Sequence, residues 1–498
     1  MAKIDLLKEK LALIKNYLHV CTIMYFDLYT VCPEDARENE GDTLNYFQNE
    51  AFKLQTSDEM KQLIVDLHNE IDTLEDPLDR RLVELSYDDY EKTKNVTPEM
   101  AMKLSQAQSK AYITWLKAKE KADYSMFKEA FGELINIMKE AIKTRDKVLP
   151  NFYDNYLDDH ERGMLVKDLD PFFEELKVGL IDLINKIKNS KHVIRRDFLS
   201  RNVPIYKQEE FSKYLLNLNG YDFKRGALTT TEHPFTIPVA QKDARVTTHY
   251  YEDMFLSNIF SIIHEGGHAI FMQNEKPEDY EHFLEDNITN GMHESVSRFY
   301  ENVIGRSKEY IHLIYPKFKE IFGEEFPDVT EQELYEGANI VEPSLLRTEA
   351  DEVTYGLHVI IRYEMEKLIC NGEISLDEIP AKWNALYKEY LGIDVPSDKE
   401  GVLQDVHWTE NFGYFPSYQI GNCYNAMYVL KMREDFDLDK AVSTGDFKTI
   451  NNWMKEHVFK RSNELEPKEW IREITGQDLT PKPFLEYLNK KYKDIYKF

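Results

Sequence analysis

The sequence predicts a mainly α-helical fold with one small antiparallel β-sheet, and three observations lead to this prediction. Glycine and proline, which both interrupt helices, are sparse at 20 and 18 of 498 residues. Apolar residues recur at helical spacing over long stretches, beginning with Leu7, Leu11 and Ile14. The segment 226–251 is different, because it is rich in threonine, valine and aromatic residues, as strands are.

Local signals place the main elements along the chain. Residues from about 98 to 148 are predicted to form one long helix or a hairpin of two helices. A later helix is predicted to begin at Asp170, which can cap it, with Pro171 in the first helical position. Segment 226–251 suits two or three short strands, so a small sheet is expected immediately before the apolar helix that carries IIHEGGHAIF, residues 262–271.

Length, charge and cysteine content exclude several classes of protein. The chain shows no internal repeat and no low-complexity linker, so residues 1–498 are predicted to form a single domain. Its net charge of −28 would repel phosphate backbones and anionic lipids, which argues against a nucleic-acid or membrane partner. The amino-terminal segment lacks the apolar core of a signal peptide, and the four cysteines show no CxxC spacing. We therefore expect a cytoplasmic protein.

The HEGGH segment has the spacing of a metal site. On a helix, His264 and His268 leave the same face about one turn apart and can hold one metal ion. Glu265 projects about 100° around the helix, where it can hold a water beside the ion. As purely structural residues, two histidines in so apolar a helix would each need a buried polar partner. The adjacent Gly266 and Gly267 indicate that a strand or a substrate backbone approaches this helix closely.

A catalytic metal site needs a third protein ligand beside the two histidines. Glu294 is favoured, since NGMHESVSRFYENVIG has helical periodicity and its polar side carries Glu294 and Glu301. Glu285 and Asp286 are rivals, but they lie in the loop-like stretch EDNITNG, and a helix holds a ligand more accurately than a loop. Spacing alone leaves all three acidic residues open.

Seven short motifs stand in a fixed order along the chain. They are HPF (233–235), DARVT (243–247), HEGGH (264–268), HES (293–295), LRTEAD (346–351), GVLQDVHW (401–408) and FGYFPSYQIGN (412–422). With these motifs the chain resembles the carboxypeptidase Taq family of metallocarboxypeptidases, most densely from about 226 to 425. The resemblance implies a large helical body with a deep central groove, a small sheet beside a zincin-type HExxH helix, and a homodimer.

The resemblance also implies the roles of the metal-site residues. His264, His268 and Glu294 would bind the metal, and Glu265 would be the general base. Zinc is the usual metal and cobalt is possible, because both ions accept nitrogen and oxygen ligands in similar geometry. His233, Asp243 and Arg245 would shape the substrate groove, although a lone loop histidine is otherwise usually just solvated.

Four further residues are candidates for catalysis or substrate recognition. Arg347 is predicted to bind the free carboxylate of a peptide, because its planar guanidinium presents two parallel donors. Its structural alternative is an ion pair with Asp351, four residues on and on the same helix face. His407 and Tyr418 are predicted to donate hydrogen bonds to the developing oxyanion, and Tyr414 is a secondary candidate that would contact the substrate. Aromatic residues in this segment could instead belong to the core.

Two stretches depart from the family pattern. Val296 follows HES where the family usually has glutamine, which removes a hydrogen-bonding group near the metal. The amino-terminal YFDLYTVCPEDAR is an altered version of a family stretch that usually begins with Trp-Asp and contains Met-Pro.

The main functional prediction is a metal-dependent carboxypeptidase that releases amino acids from peptides with a free C-terminal carboxylate. One alternative is an endopeptidase or dipeptidase of the wider HExxH-plus-Glu group, which shares the metal site but does not need Arg347. The other is an inactive, acidic helical binding protein whose histidines are structural.

Overall fold

The computed structural model of the protein describes residues 2–285 and 287–498, and it confirms the mainly α-helical prediction. The helices before the sheet are α1 (Lys3–Thr30), α2 (Arg37–Gln55), α3 (Asp58–Asn69), α4 (Pro77–Thr93), α5 (Pro98–Lys121), α6 (Ser125–Lys143), α7 (Phe152–His160), α8 (Val166–Lys188) and α9 (Ile205–Asn219). Those after it are α10 (Phe255–Asn274), α11 (Pro277–Glu281), α12 (Asn290–Arg298), α13 (Lys308–Phe322), α14 (Glu331–Gly337), α15 (Tyr355–Asn371), α16 (Ile379–Leu391), α17 (Phe415–Asp435), α18 (Leu438–Ser443), α19 (Phe447–Met454), α20 (Pro467–Thr475) and α21 (Lys482–Tyr496). Across these two described ranges, no helix is long and apolar enough to cross a membrane.

The apolar residues of the chain form one large core and one smaller cluster. The smaller cluster lies among helices α1 to α4, where Leu7, Ile14, Leu63 and Val83 are buried together. Leu284, which follows α11, also packs into this cluster and ties it to the later part of the chain. The large core includes buried residues of α5 and of every later helix that packs around α10 and α17.

The structure decides between the alternatives for residues 98–148 and corrects the start of α8. The segment is a hairpin of α5 and α6, broken where Ala122 adopts a left-handed conformation (φ 52°). Helix α8 begins at Val166 rather than at Asp170, because the Asp168 carboxylate accepts the backbone N–H at the helix start. Asp170 accepts a hydrogen bond from the Tyr363 hydroxyl at 2.8 Å instead.

The predicted sheet is present, and it has three strands in the order β1–β3–β2: β1 (Leu228–Thr230), β2 (Thr236–Ala240) and β3 (Asp243–Thr248). Strands β2 and β3 are antiparallel, as expected, but β1 and β3 are parallel, so the sheet is mixed rather than antiparallel. The reason is that the chain crosses to the far side of β3 after β1, and β3 then returns between them. Strand β2 is left at an edge of the sheet.

Helix α10 carries HEGGH and packs against β3, α9 and α12. A Cβ atom on Gly267 would lie 2.9 Å from the Cα of Ser297 in α12, and one on Gly266 would lie 2.7 Å from Cδ2 of Leu216 in α9. The two glycines therefore accommodate neighbouring helices, not the strand or substrate that the sequence suggested. Helix α12 continues directly into a π-helix, Phe299–Gly305.

Candidate metal centre and active site

His264, His268 and Glu294 come together in the structure. The Nε2 atom of each histidine lies 3.4 Å from Oε2 of Glu294, and the three ligand atoms are all within 4.8 Å of one another. Two ligands that each lie about 2.0–2.1 Å from a tetrahedral zinc ion are roughly 3.3–3.4 Å apart. The donor types and their spacing therefore fit a metal ion of this kind.

Two helices supply these ligands. His264 and His268 lie one turn apart on α10, and Glu294 comes from α12, which approaches α10 at Gly267. Of the two rival acids, Glu285 forms an ion pair with Lys15, and Asp286 lies outside the described residues. Glu294 is thus the acid that the structure brings to the histidine pair.

Glu301 forms a hydrogen bond with the imidazole nitrogen of His264 that does not face Glu294. The Nδ1 atom of His264 lies 2.9 Å from Oε2 of Glu301, which fixes the proton on Nδ1 and leaves Nε2 free to bind an ion. Arg298 and Arg306 also donate to the Glu301 carboxylate, at 3.2 and 3.3 Å. Burial alone would raise the pKa of Glu301, but these arginines and His264 lower it to about 2. The sequence showed Glu301 on the polar face of its helix without assigning it a role.

The other two ligands also have polar partners. Nδ1 of His268 lies 2.5 Å from Nδ1 of His293, the first residue of the HES motif. Burial and the neighbouring His268 lower the pKa of His293 to about 3, so His293 is neutral and can accept the His268 proton. The Ser297 hydroxyl donates to Oε2 of Glu294. Each ligand is therefore oriented by a residue of α12 or of the π-helix.

Glu265 is oriented by a residue of the sheet. The Thr236 hydroxyl, at the start of β2, lies 2.7 Å from Oε2 of Glu265 and 2.9 Å from the Glu265 carbonyl oxygen. Glu265 is only 8% exposed. The hydroxyl engages one carboxylate oxygen, which leaves the other to accept a proton from water. Nothing in the sequence pattern marked Thr236, because its contact depends on the packing of the sheet against α10.

Arg347 lies in a short 3₁₀-helix before α15, and it is buried. Its Nε atom donates to Asp405 at 2.9 Å, its Nη1 atom donates to the Tyr355 hydroxyl at 3.2 Å, and its guanidinium lies 5.1 Å from the centre of the Tyr418 ring. The alternative ion pair with Asp351 is wrong, because the chain between the two residues is not a continuous helix. Asp351 accepts backbone N–H groups just before α15 instead.

His407, Tyr414 and Tyr418 lie together near Arg347. His407 Nε2 is 3.4 Å from the Tyr418 hydroxyl, and the two tyrosine rings are 5.2 Å apart. Burial and the Arg347 charge lower the pKa of His407 to about 3, so its imidazole is neutral. Burial raises the pKa of Tyr414 to about 12, and the charge of Glu294 adds to the increase. The charge of Glu294, a candidate metal ligand, thus acts on Tyr414, and it acts on Tyr418 in the same direction.

The remaining predicted residues lie on strand β3 and in the connection between β1 and β2. Arg245 forms an ion pair with Asp243 at 2.8 Å on β3, and its guanidinium lies over the Phe26 ring of α1. His233 is exposed in the connection between β1 and β2, where its carbonyl oxygen accepts from the Thr231 hydroxyl. These three residues thus contact the sheet and α1, and they are separate from the cluster of Arg347, His407, Tyr414 and Tyr418.

Comparison with known proteins gives the same assignment for the whole chain. A profile of the carboxypeptidase Taq (M32) metallopeptidases matches residues 6–492. Carboxypeptidase 1 of Bacillus subtilis is 38% identical over 494 residues, which cover 99% of this chain and 97% of that protein. Thermostable carboxypeptidase 1 of Thermus thermophilus is 35% identical over 417 residues, 82% of each chain. The crystal structure of the M32 carboxypeptidase from Deinococcus radiodurans has a TM-score of 0.95 with 28% identity and covers 100% of both chains. The chain therefore belongs to the carboxypeptidase Taq (M32) family of metallopeptidases and is a metal-dependent carboxypeptidase.

Proposed function

We propose that this enzyme removes amino acids one at a time from peptides with a free C-terminal carboxylate, using a zinc ion held by His264, His268 and Glu294. The observation that carries the metal assignment is the 3.4 Å spacing of both imidazole Nε2 atoms from the Glu294 carboxylate. When bound, zinc supplies Lewis-acid polarisation of the scissile carbonyl and activation of water. Cobalt would suit the same donor atoms.

Glu265 is proposed as the general base. It accepts a proton from the attacking water as the water oxygen bonds to the scissile carbonyl carbon, and it then passes this proton to the departing amide nitrogen. The C–N bond breaks, and the products are a shortened peptide and a free amino acid. The hydrogen bond from Thr236 supports this role, because it fixes the carboxylate in one orientation.

Arg347 is proposed to recognise the C-terminal carboxylate. Its partner Asp405 also accepts from Arg362 at 2.7 Å, so two buried guanidinium groups share one carboxylate. Burial and the Arg362 charge hold the pKa of the neighbouring His358 well below its usual range, so this imidazole adds no charge. The Asp405 carboxylate is thus shared by Arg347 and Arg362, and a substrate carboxylate would give Arg347 an anionic partner of its own.

The hydroxyl groups of Tyr418 and Tyr414 and the imidazole of His407 are proposed to stabilise the oxyanion. All three are close to Arg347, and none carries a charge at neutral pH. Neutral donors in a water-poor site can stabilise a developing negative charge without reorganisation. His233, with Asp243 and Arg245, is proposed to line the groove farther from the reacting bond.

Four broader features belong to the same proposal. We infer a single domain over residues 1–498, with the substrate bound in a deep groove, because the family profile spans nearly the whole chain. We infer a cytoplasmic location, supported by four cysteines that are all free thiols. We also infer a homodimer, which light scattering of the purified protein would test directly.

One digestion tests the reaction type. The metal-loaded enzyme is incubated with a defined peptide whose carboxyl end is either free or amidated, and the products are read by mass. We expect stepwise loss of residues from the free carboxyl end and little cleavage of the amidated peptide. Internal cuts, or equal cleavage of both peptides, would instead assign an endopeptidase or dipeptidase.

A further inference from the structure

We propose that Tyr25, Tyr29 and Phe235 form a subsite that binds an aromatic or large apolar side chain of the peptide, on the N-terminal side of the scissile bond. This inference rests on the peptide hydrolysis proposed above and adds a sequence preference to it.

The three rings form one cluster with accessible faces. Tyr25 and Tyr29 lie one turn apart on α1, with ring centres 4.6 Å apart. Phe235 lies 5.9 Å from Tyr25 and 6.4 Å from Tyr29, both in edge-to-face arrangements. Tyr25 is 39% exposed and Tyr29 is 55% exposed, whereas Phe26 beneath Phe235 is buried. The cluster thus has a packed base and an open upper side that a further ring could cover.

The cluster is joined directly to the proposed base. Phe235 immediately precedes Thr236, whose hydroxyl contacts Glu265. Successive side chains of a strand point to opposite faces. Since Thr236 faces α10, Phe235 faces α1 on the other side of the sheet. At about 3.4 Å per residue, a peptide extended from the metal ligands past this strand would reach the cluster within roughly two to four residues.

The neighbouring contacts define where a peptide can run. Strand β2 is an edge of the described sheet, so the outer side of Thr236 is not paired with another strand of that sheet. Farther along the strand, His19 of α1 lies 2.7 Å from the Val239 carbonyl oxygen and covers that end of the edge. The open part of the edge is therefore the part next to Phe235 and Glu265.

The position of the cluster relative to Arg347 gives the direction of the peptide. Helix α10 packs against the sheet and also against α12, and Arg347 lies beyond α12, beside Tyr418 of α17. A substrate whose C-terminal carboxylate is at Arg347 would extend its upstream residues toward the sheet.

Matched peptides test the subsite. The peptides share one C-terminal residue and differ at one position, two to four residues upstream of the scissile bond, which is Phe, Ala or Glu. For the wild-type enzyme we expect kcat/KM to be about tenfold higher with Phe than with Ala at one of these positions, and no higher with Glu than with Ala. Tyr29→Ala and Tyr25→Ala should bring the Phe-to-Ala ratio close to one, whereas Tyr29→Phe should preserve it because the ring remains.

Tyr46→Ala is the matched control, since Tyr46 is a 60% exposed tyrosine on α2 outside the cluster. The control should keep the wild-type ratio. A wild-type ratio near one at all positions, or an equal loss for the Phe and Ala peptides in both alanine variants, would overturn the subsite. Binding of the same peptides to Glu265→Gln, measured by fluorescence anisotropy, separates the two proposals. If the wild-type enzyme hydrolyses none of the peptides, the proposed function is refuted. If the variant binds the Phe and Ala peptides equally well, the subsite is refuted.

Discussion

The Thr236 hydroxyl lies 2.7 Å from Oε2 of Glu265, so an edge strand of the sheet orients the proposed general base. We expect Thr236→Val to lower kcat by roughly 10- to 100-fold with little change in KM, because a hydrogen bond to a buried carboxylate is lost. Thr236→Ser keeps the hydroxyl and should retain most activity. Steady-state kinetics on one peptide decide the point, and equal effects of both substitutions would contradict an orienting role.

Replacing the base should separate catalysis from metal binding. Glu265→Gln keeps the size of the side chain but cannot accept a proton, so we expect kcat to fall by at least about 10²- to 10⁴-fold. The metal content, measured by mass spectrometry of the elements, should equal that of the wild type. A variant that turns over normally would refute the role of Glu265.

Glu301 should govern metal affinity without binding the metal itself. Glu301→Gln weakens the acceptor that holds His264 Nδ1, so we expect the metal dissociation constant to rise by roughly 10- to 100-fold. Competition with a chelator of known affinity measures this change. Glu309→Gln, a half-buried acid at the start of α13 and outside these contacts, is the matched control and should leave the affinity unchanged.

Substitution of Arg347 should remove the preference for a free carboxyl end. Arg347→Lys keeps a positive charge but loses the paired donors, so we expect kcat/KM for a free-carboxyl peptide to fall by about 100-fold. The ratio of free to amidated cleavage should fall with it. Because Arg347 is buried beside Asp405, thermal unfolding of the variant is measured in parallel. An unchanged ratio in a folded variant would assign carboxylate recognition elsewhere.

Glu366 should make stability depend on pH. This buried carboxylate accepts from Tyr153, Trp408 and the Gly413 N–H, and burial raises its pKa from 4.5 to about 7. Between pH 4.5 and about 7, Glu366 is ionised in the unfolded chain but protonated in the folded chain. The stability that this group contributes is therefore fully present below pH 4.5 and is lost as the pH rises through 7. The loss amounts to about 3 kcal/mol.

The glutamine variant isolates this contribution. Glu366→Gln cannot ionise, so the difference in unfolding free energy between wild type and variant should change by about 3 kcal/mol between pH 4.5 and 8, in favour of the variant at high pH. Denaturant unfolding at several pH values measures it. A difference that stays constant over this range would show that Glu366 keeps an ordinary pKa.

The features that could be predicted from the sequence are those that depend on local spacing. The i, i+4 spacing of His264 and His268 predicts their shared face, and the apolar periodicity predicts most helices. Features that depend on tertiary contacts could not be predicted in this way. The Val166 N–H at the start of α8 donates to Asp154 of α7, which adds a tertiary contact to the Asp168 cap. Arg347 pairs with Asp405, 58 residues away, rather than with its near neighbour. The contact of Thr236 with Glu265 could not be predicted for the same reason, because the two residues are 29 positions apart in the chain.

The direct contact of α10 with α12 at Gly267 bears on how the ion is gained and lost. Because the helix backbones touch there, the spacing between the histidine pair and Glu294 is set by packing rather than by the ion. Stripping the enzyme with a chelator should therefore leave its secondary structure and cooperative unfolding intact. Remetallation should then be limited by encounter with the ion and release of protons, with no refolding step.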